Sequence, residues 1–395
     1  MARKSAAGTG TIRKRTVTKN GKQYTWWEAR YTNGYDPGTG KQIQRSITGK
    51  TQKEVAQKLK ATTVAIDQGT YIAPSKMTVG QWLDIWTAEY LGAVKPSTLH
   101  SYKTTVRNHL KPNLGAIKLD ALTPHMIQGL YNGFTDPQRA GGPLSAKTVK
   151  NIHGILHKAL QQALMNSYIR FNPADPCVLP RVQKQDLQPM DETQITAFLK
   201  AIKGNLYEDL FIVTLFTGMR QGEIHGLMWD CVDLTHGKIR IDKQLQYIRK
   251  SKGQYRMVPT KNSKGRTITL PPTVLTTLHR VRLRQLEDRL RYGECWLDSG
   301  YVFTDELGRH LKPQNTYREF KRIVASIGCP NTRFHDLRHS YAVAAIKSGD
   351  DIKTVQENLG HATAAFTLDI YGHVTDQMKQ ASAARMEQFI KTVNA

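Results

Sequence analysis

Alternating hydrophobic and polar positions in the first 50 residues predict three short β-strands. The pattern occupies residues 10–18, 24–32 and 41–48. Asn20-Gly21 lies between the first two strands and is a strong signal for a β-hairpin turn. A second turn sequence, Asp36–Gly40, separates the second strand from the third.

A helix is predicted directly after these strands. Thr51 is a favourable N-cap, and the apolar positions that follow it share one helical face: Val55, Leu59 and Ile66. We expect this face to cover the sheet, with one of Trp26 and Trp27 packed beneath the helix. Residues 1–72 are therefore predicted to form a small three-stranded sheet with one helix.

Helical periodicity dominates residues 76–172. Helices are predicted after Thr78, from Pro96, from Thr123-Pro124 and over residues 145–167. Their apolar positions recur at helical spacing and are interpreted as core. Helices in a segment of this length predict a compact bundle.

Prolines without periodicity mark residues 173–190 as a linker. Residues 191–395 are mostly helical, apart from a strand-rich interval over about residues 238–270, before a long amphipathic helix from Pro272 to Tyr292. The predicted fold class is multidomain α+β. A three-stranded sheet with a helix is followed by a helical bundle and then by a mainly α domain with a small β-sheet.

The chain is strongly basic. It holds 57 Lys and Arg against 32 Asp and Glu, a formal net charge of +25. This imbalance indicates a polyanionic partner rather than a generic metabolic substrate. Residues 1–70 alone carry 14 basic against 4 acidic residues. Because this charge is interleaved with strand positions, it favours a folded nucleic-acid-binding module over a disordered arm.

The remaining composition limits the compartment. No stretch approaches the roughly 18 apolar residues that a membrane span needs, and no apolar stretch follows the basic N-terminus as in a secretory signal. The cysteines Cys177, Cys231, Cys295 and Cys329 form no CxxC pair. We therefore expect no membrane partner and a reducing cytoplasm.

Four short segments after residue 190 are dense in Arg, His and Lys. They are Thr217–Glu223 with Arg220, Thr260–Ile268 with Lys261 and Lys264, Arg333–Tyr341 with His335 and Arg338, and Leu359–His373 with His361 and Tyr371. Each has an ordinary interpretation when it is taken alone. Arg220, for example, is placed to pair locally with Glu223 three residues later.

A zinc site is one alternative for the histidines. His335 and His339 have i, i+4 spacing, and His361 and His373 follow. However, the HExxH glutamate is missing, and Arg338 would place a cation on the metal-binding face. We therefore expect neither a metal nor a cofactor.

Phosphodiester cleavage without a metal requires the residue types of all four segments. Two guanidiniums can hold the non-bridging oxygens of a phosphate. A lysine or histidine can protonate the departing sugar oxygen. A tyrosine can attack phosphorus and form a covalent intermediate.

The order Arg220, Lys261, His335-x-x-Arg338, Leu359-Gly360-His361, Tyr371 resembles the tyrosine recombinase (phage integrase) family. The resemblance covers the whole chain. It implies an arm-type DNA-binding domain (1–72), a core-binding SAM-like domain (76–172), a linker (173–190) and a catalytic domain (191–395), as in lambda-type and conjugative-transposon integrases.

The resemblance also implies roles for these residues. Tyr371 would form a 3′-phosphotyrosyl bond, and Arg220 and Arg338 would hold the scissile phosphate. His335 would assist proton transfer at Tyr371, and His361 would hydrogen-bond the phosphate or its arginines. Lys261 would protonate the 5′-oxygen, with Lys264 of the same hairpin as the alternative. Glu223 would orient the pocket.

The implied function is site-specific recombination that integrates and excises a prophage or conjugative transposon through a Holliday junction. The implied partners are double-stranded DNA with core and arm attachment sites, three further copies of the chain in a homotetramer, an excisionase and a DNA-bending host protein. Two alternatives remain: a type IB topoisomerase-like enzyme, and a non-catalytic sequence-specific DNA-binding regulator. Because no matched family position is substituted, we expect an active enzyme.

Overall fold

The computed structural model describes residues 11–36, 38–68, 71, 76–183, 189–248, 254–260, 265–361, 363 and 375–393. The chain divides into two compact units, Met1–Lys184 and Gln185–Ala395. No helix in the described part is both long and apolar enough to cross a membrane.

The first unit begins with an antiparallel sheet in the order β1-β2-β3. Its strands are β1 (Thr11–Lys19), β2 (Lys22–Tyr35) and β3 (Gln42–Gly49). Asn20 and Gly21 at the β1–β2 turn have φ angles of 51° and 74°. These positive values are those that an Asn-Gly hairpin turn requires.

Helix α1 (Gln52–Asp67) covers one face of this sheet. Thr51 caps it by accepting a hydrogen bond from the Glu54 N–H. Its buried positions pack on the strands in a cluster that includes Ala29, Tyr31, Val55 and Leu59, with Trp27 and Ile66 at the edge. The prediction that one of the two tryptophans packs beneath the helix is thus confirmed for Trp27.

The rest of the first unit is helical, with a separate hydrophobic cluster. Its helices are α2 (Val79–Glu89), α3 (Pro96–Thr105), α4 (Lys111–Leu114), α5 (Pro124–Thr135) and α6 (Ala146–Met165). A π-helical turn, Val106–Leu110, joins α3 to α4. Trp82 lies fully buried at the centre and donates a 2.9 Å hydrogen bond from its indole N–H to the carbonyl oxygen of Ala159.

In its described residues, the second unit contains the remaining helices and two small antiparallel sheets. The helices are α7 (Glu192–Ile202), α8 (Glu208–Thr217), α9 (Gln221–His225), α10 (Pro272–Tyr292), α11 (Pro313–Ser326), α12 (Asp336–Lys347), α13 (Ile352–Leu359) and α14 (Thr375–Val393). The strands are β4 (Val232–Asp233), β5 (Lys238–Ile241), β6 (Lys243–Tyr247), β7 (Tyr255–Pro259) and β8 (Arg266–Thr269).

The strand-rich interval forms two sheets where the sequence predicted one. β4, β5 and β8 form the first sheet, and β6 and β7 pair separately. The chain changes sheet at Asp242, between β5 and β6, so that β5 pairs with the more distant β8. The α+β fold class itself is confirmed.

Four phenylalanines form the centre of the second unit. The contacting rings of Phe198, Phe211, Phe320 and Phe334 have centroids 5.4–6.2 Å apart. They come from α7, α8, α11 and the residues just before α12. This packing fixes the start of α12 against α8. Arg220 follows the end of α8, and His335 and Arg338 lie at the start of α12.

Candidate active site

Arg220 stands at the sharp turn between α8 and α9. Helix α8 is buried along most of its length and ends at Gly218, whose φ of 62° is left-handed. Arg220 then becomes the N-cap of α9, and 27% of its side chain is exposed. The turn thus brings a guanidinium from the interior to the surface.

Glu223 holds Arg220 at two points. One carboxylate oxygen accepts the Arg220 backbone N–H at 2.9 Å, and the other accepts the guanidinium at 2.8 Å. The carboxylate is almost completely buried. Burial by itself raises the pKa of Glu223, but hydrogen bonds and charge from Arg266, together with Arg220, outweigh it and lower the pKa to about 2. Glu223 is therefore an anion at neutral pH.

Arg338 lies buried where the ends of three helices meet. It belongs to the first turn of α12 and is 1% exposed. Its guanidinium donates to the carbonyl oxygen of Gly218 at 2.8 Å and to that of Leu359. Both carbonyls are at helix C-termini, where backbone acceptors lack helical partners and favour a cation.

His361 follows the end of α13 and closes the same cluster. Gly360 caps α13 with a left-handed φ of 63°, and its carbonyl oxygen lies 3.4 Å from the Arg220 guanidinium. The His361 backbone N–H donates to the Gln356 carbonyl at 3.1 Å. The half-buried His361 is thus held beside both arginines.

Burial and the two arginines favour neutral imidazoles in this cluster. Desolvation, then Arg338 and Arg220, lower the pKa of His335 and bring that of His361 to about 3. His335 occupies the N-cap position of α12, and although its neighbours desolvate the imidazole, the residue stays accessible to solvent. A neutral imidazole at this position can accept a proton at pH 7.

His339 packs against His335 and is itself buried. The two rings meet edge to face with centroids 4.9 Å apart. Desolvation, followed by the neighbouring His335, lowers the pKa of His339 to about 4. No chemical role is predicted for His339 from the sequence. The contact of its buried ring with His335 is consistent with a supporting role for His339 in holding the His335 ring.

The structure brings together four of the six predicted catalytic residues: Arg220, His335, Arg338 and His361. Lys261 and Tyr371 lie outside the described residues, as do Lys264 and His373. Within the described part of the chain, no group of three or more His, Cys, Asp or Glu side chains is arranged to hold a metal ion.

Arg266 belongs to the same cluster, and the sequence analysis missed it. It begins β8, and its guanidinium donates to both Glu223 oxygens, at 3.1 and 2.6 Å. The signal was present in the strand alternation, because Ile268 two residues later is buried and shares its face. The cluster thus contains three guanidiniums, of which those of Arg220 and Arg266 share the one buried carboxylate, and it is suited to bind an anion.

Two segments of the chain match known protein families. Residues 187–378 match the Phage integrase family, and residues 78–134 match the Phage integrase N-terminal SAM-like domain. A "Tyrosine recombinase XerC-like" protein of Caldanaerobacter subterraneus is 31% identical over 386 residues, covering 93% of this chain and 96% of that protein. The ICEBs1 integrase of Bacillus subtilis is 24% identical and covers 90% of this chain and 95% of its own length.

Two solved structures have the same fold at lower identity. The Tn1549 transposon integrase in complex with transposon right end DNA is 22% identical, with a TM-score of 0.67 over 79% of this chain and all of that one. A lambda integrase tetramer bound to a Holliday junction is 18% identical, with a TM-score of 0.56 over 88% of this chain and 93% of that one.

Proposed function

Because this chain belongs to the phage integrase family of tyrosine recombinases, which cleave and rejoin DNA, we propose that it integrates and excises a mobile element by site-specific recombination. The observation that carries the proposal is the pairing of Arg220 and Arg338. Their guanidiniums reach carbonyl oxygens of adjacent residues, Gly360 and Leu359. They come from helices far apart in sequence and meet where a phosphate would find two planar donors.

We propose that Tyr371 attacks the scissile phosphorus. The bond from phosphorus to the 5′-oxygen breaks as the bond to the tyrosine oxygen forms, leaving a 3′-phosphotyrosine. Arg220 and Arg338 stabilise the charge that builds on the non-bridging oxygens. His361 donates a hydrogen bond to that phosphate, or accepts one from its arginines.

Two proton transfers accompany this displacement. His335, kept neutral by its surroundings, accepts the tyrosine proton. Lys261 donates a proton to the 5′-oxygen. In the reverse step a 5′-hydroxyl attacks the phosphotyrosine and releases Tyr371. The covalent bond conserves the energy of the cleaved linkage, so the scheme needs neither ATP nor a cofactor.

The N-terminal sheet is proposed to bind arm-type sites on DNA. Arg13, Arg15 and Arg30 surround Glu28 at 3.2, 2.8 and 3.7 Å, with side chains 42–51% exposed. Glu28 and Arg30 alternate with Ala29 and Tyr31, which face α1, so these arginines lie on the opposite, open face. Such a basic β-surface can enter a DNA groove.

The assembly is proposed by analogy of fold. Four copies would bind two core sites and exchange strands in pairs through a Holliday junction, as the tetramer in the lambda integrase structure suggests. An excisionase and a DNA-bending host protein would set the direction of recombination in the bacterial cytoplasm. The arm-binding domain would be residues 1–72, the core-binding domain residues 76–172, and the catalytic domain residues 191–395.

A recombination assay tests the proposal against the two alternatives. Two linear DNAs carrying the element's attachment sites are mixed with the protein, and joined products are followed on a gel. A recombinase yields joined products with wild type and none with Tyr371→Phe. Relaxation of a supercoiled plasmid without attachment sites would instead support a topoisomerase, and specific binding without joined products would support a regulator.

A further inference from the structure

Arg266 connects three segments of the proposed catalytic centre. It is the first residue of β8, and its side chain is only 9% exposed. Its two terminal nitrogens donate to the two oxygens of Glu223, at 3.1 and 2.6 Å. Its Nε donates at 2.7 Å to the carbonyl oxygen of Asn358, in the last turn of α13.

The contacts require the shape of an arginine. A planar fork donates to both oxygens of one carboxylate and, from Nε, to a third acceptor at a fixed angle. A lysine ammonium carries charge at one point and cannot reproduce this pattern. Gly360 leaves room for the fork, because a Cβ at that position would come within 3.0 Å of Arg266 Cδ.

Stability alone does not require this ion pair. A buried ion pair can be replaced by apolar or neutral groups of similar volume with little loss, whereas removal of one partner leaves an uncompensated charge. The burial of the pair is therefore weak evidence for a purely stabilising role. Glu223 also binds Arg220, through the Arg220 backbone N–H and guanidinium.

We propose that Arg266 is a positioning residue for phosphate binding, which holds Glu223 so that Glu223 in turn orients Arg220. The inference rests on the proposed function, since it assigns Arg220 to the scissile phosphate. Arg266 touches neither DNA nor the reacting atoms in this scheme. The Asn358 contact ties the same unit to the end of α13, immediately before His361.

A double variant separates positioning from stability. Glu223→Gln leaves the buried Arg266 guanidinium without its carboxylate, and Arg266→Met leaves the buried Glu223 carboxylate with Arg220 alone, so each single variant is expected to lose stability. The double variant Glu223→Gln/Arg266→Met removes both charges and is expected to regain most of the thermal stability. If Arg266 and Glu223 position Arg220, single-turnover cleavage of a nicked attachment-site DNA stays about 100-fold slower although DNA binding is normal. Recovery of cleavage together with stability would overturn the proposal.

Two further variants keep the test decisive. Arg266→Lys retains the charge and is expected to fold, yet to cleave at least about 10-fold more slowly than wild type. Arg280→Met is the matched control, because Arg280 also pairs with a buried carboxylate, Asp209, away from the cluster. It should lose stability while the folded protein cleaves at the wild-type rate. Wild-type cleavage by Arg266→Lys would contradict the proposal.

The substrate provides a readout that a structural role would not change. Replacing the scissile phosphate by a methylphosphonate removes one anionic oxygen. Less negative charge then has to be stabilised by Arg220 during cleavage. The cleavage ratio of wild type to double variant should then fall from about 100 to about 3 or less. An unchanged ratio contradicts a route through Arg220. Failure of the wild-type protein to cleave either DNA would instead contradict the proposed function.

Discussion

The guanidinium of Arg338 donates a 2.8 Å hydrogen bond to the carbonyl oxygen of Gly218, across 120 residues of sequence. Gly218 ends α8 and comes two residues before Arg220. One residue therefore connects the two arginines of the proposed phosphate site through the backbone. A side chain at position 218 would cause a steric clash, because a Cβ there would lie 2.6 Å from a ring carbon of Tyr341.

Gly218→Ala is expected to lower the free energy of unfolding by about 2–4 kcal/mol. The left-handed φ and the steric overlap with Tyr341 both contribute. Urea denaturation of the full chain measures the loss. Gly204→Ala is the matched control, because Gly204 also has a positive φ (74°) but no atom within 4 Å of the added Cβ. It should cost only about 1 kcal/mol, and equal losses for both variants would contradict this explanation.

Acid is expected to destabilise the second unit through two buried histidines. Burial lowers the pKa of His225 to about 4, and desolvation followed by His335 does the same for His339. Each ring takes up a proton on unfolding once the pH is below its unfolded pKa of about 6.5. Stability is therefore complete above pH 6.5 and decreases as the pH falls toward 4.

The expected loss from these two rings is roughly 3 kcal/mol between pH 6.5 and pH 5, because each ring approaches a slope of about 1.4 kcal/mol per pH unit only below pH 6.5. Urea unfolding at pH 7, 6 and 5 measures it. His225→Gln removes one of the titrating groups and should reduce the slope by up to about 1.4 kcal/mol per pH unit. A free energy of unfolding that is the same at pH 7 and pH 5 would show that these rings are not neutral in the fold.

Much of the fold was predictable because its signals are local. The Asn20-Gly21 turn, the Thr78 N-cap and the span of α10 depend on neighbouring residues, and the structure has each of them. The division of strands between two sheets was not predictable in this way. It depends on β5 pairing with β8 across an intervening hairpin, which is a tertiary contact.

The site shows the same division. Spacing and resemblance singled out Arg220 and Arg338, and the ordinary interpretation of Arg220 as a partner of Glu223 is also correct. What the sequence did not reveal is that Glu223 is shared with Arg266. That contact joins residues 43 positions apart and becomes visible only in the folded chain.

A DNA substrate with a better leaving group distinguishes the proposed role of Lys261 from that of Lys264. Lys261→Ala is expected to slow cleavage about 100-fold or more, since a general acid typically contributes that much. Replacing the 5′-oxygen by sulfur makes protonation of the leaving group unnecessary and should restore the rate. Lys264→Ala, the matched control, should cleave both DNAs normally. The opposite pattern would assign the general acid to Lys264.

The C-terminal helix is expected to act in assembly. Met386, Phe389, Ile390 and Val393 on α14 are 44–66% exposed and recur at helical spacing. We expect this apolar face to dock onto a neighbouring copy. Deleting residues 380–395 should weaken tetramer formation on DNA, measured by native gel or light scattering, while one copy still binds a core site. Unchanged tetramer formation would refute this role.

Covalent trapping is the most direct test of metal-independent phosphotyrosine chemistry at Tyr371. A nicked suicide DNA built from the joined ends of the element is incubated with the protein in EDTA, then denatured in SDS. We predict a protein–DNA band for wild type and none for Tyr371→Phe, although both proteins bind the DNA. A band that persists in Tyr371→Phe, or its absence in wild type bound to DNA, would contradict metal-independent phosphotyrosine chemistry at this residue.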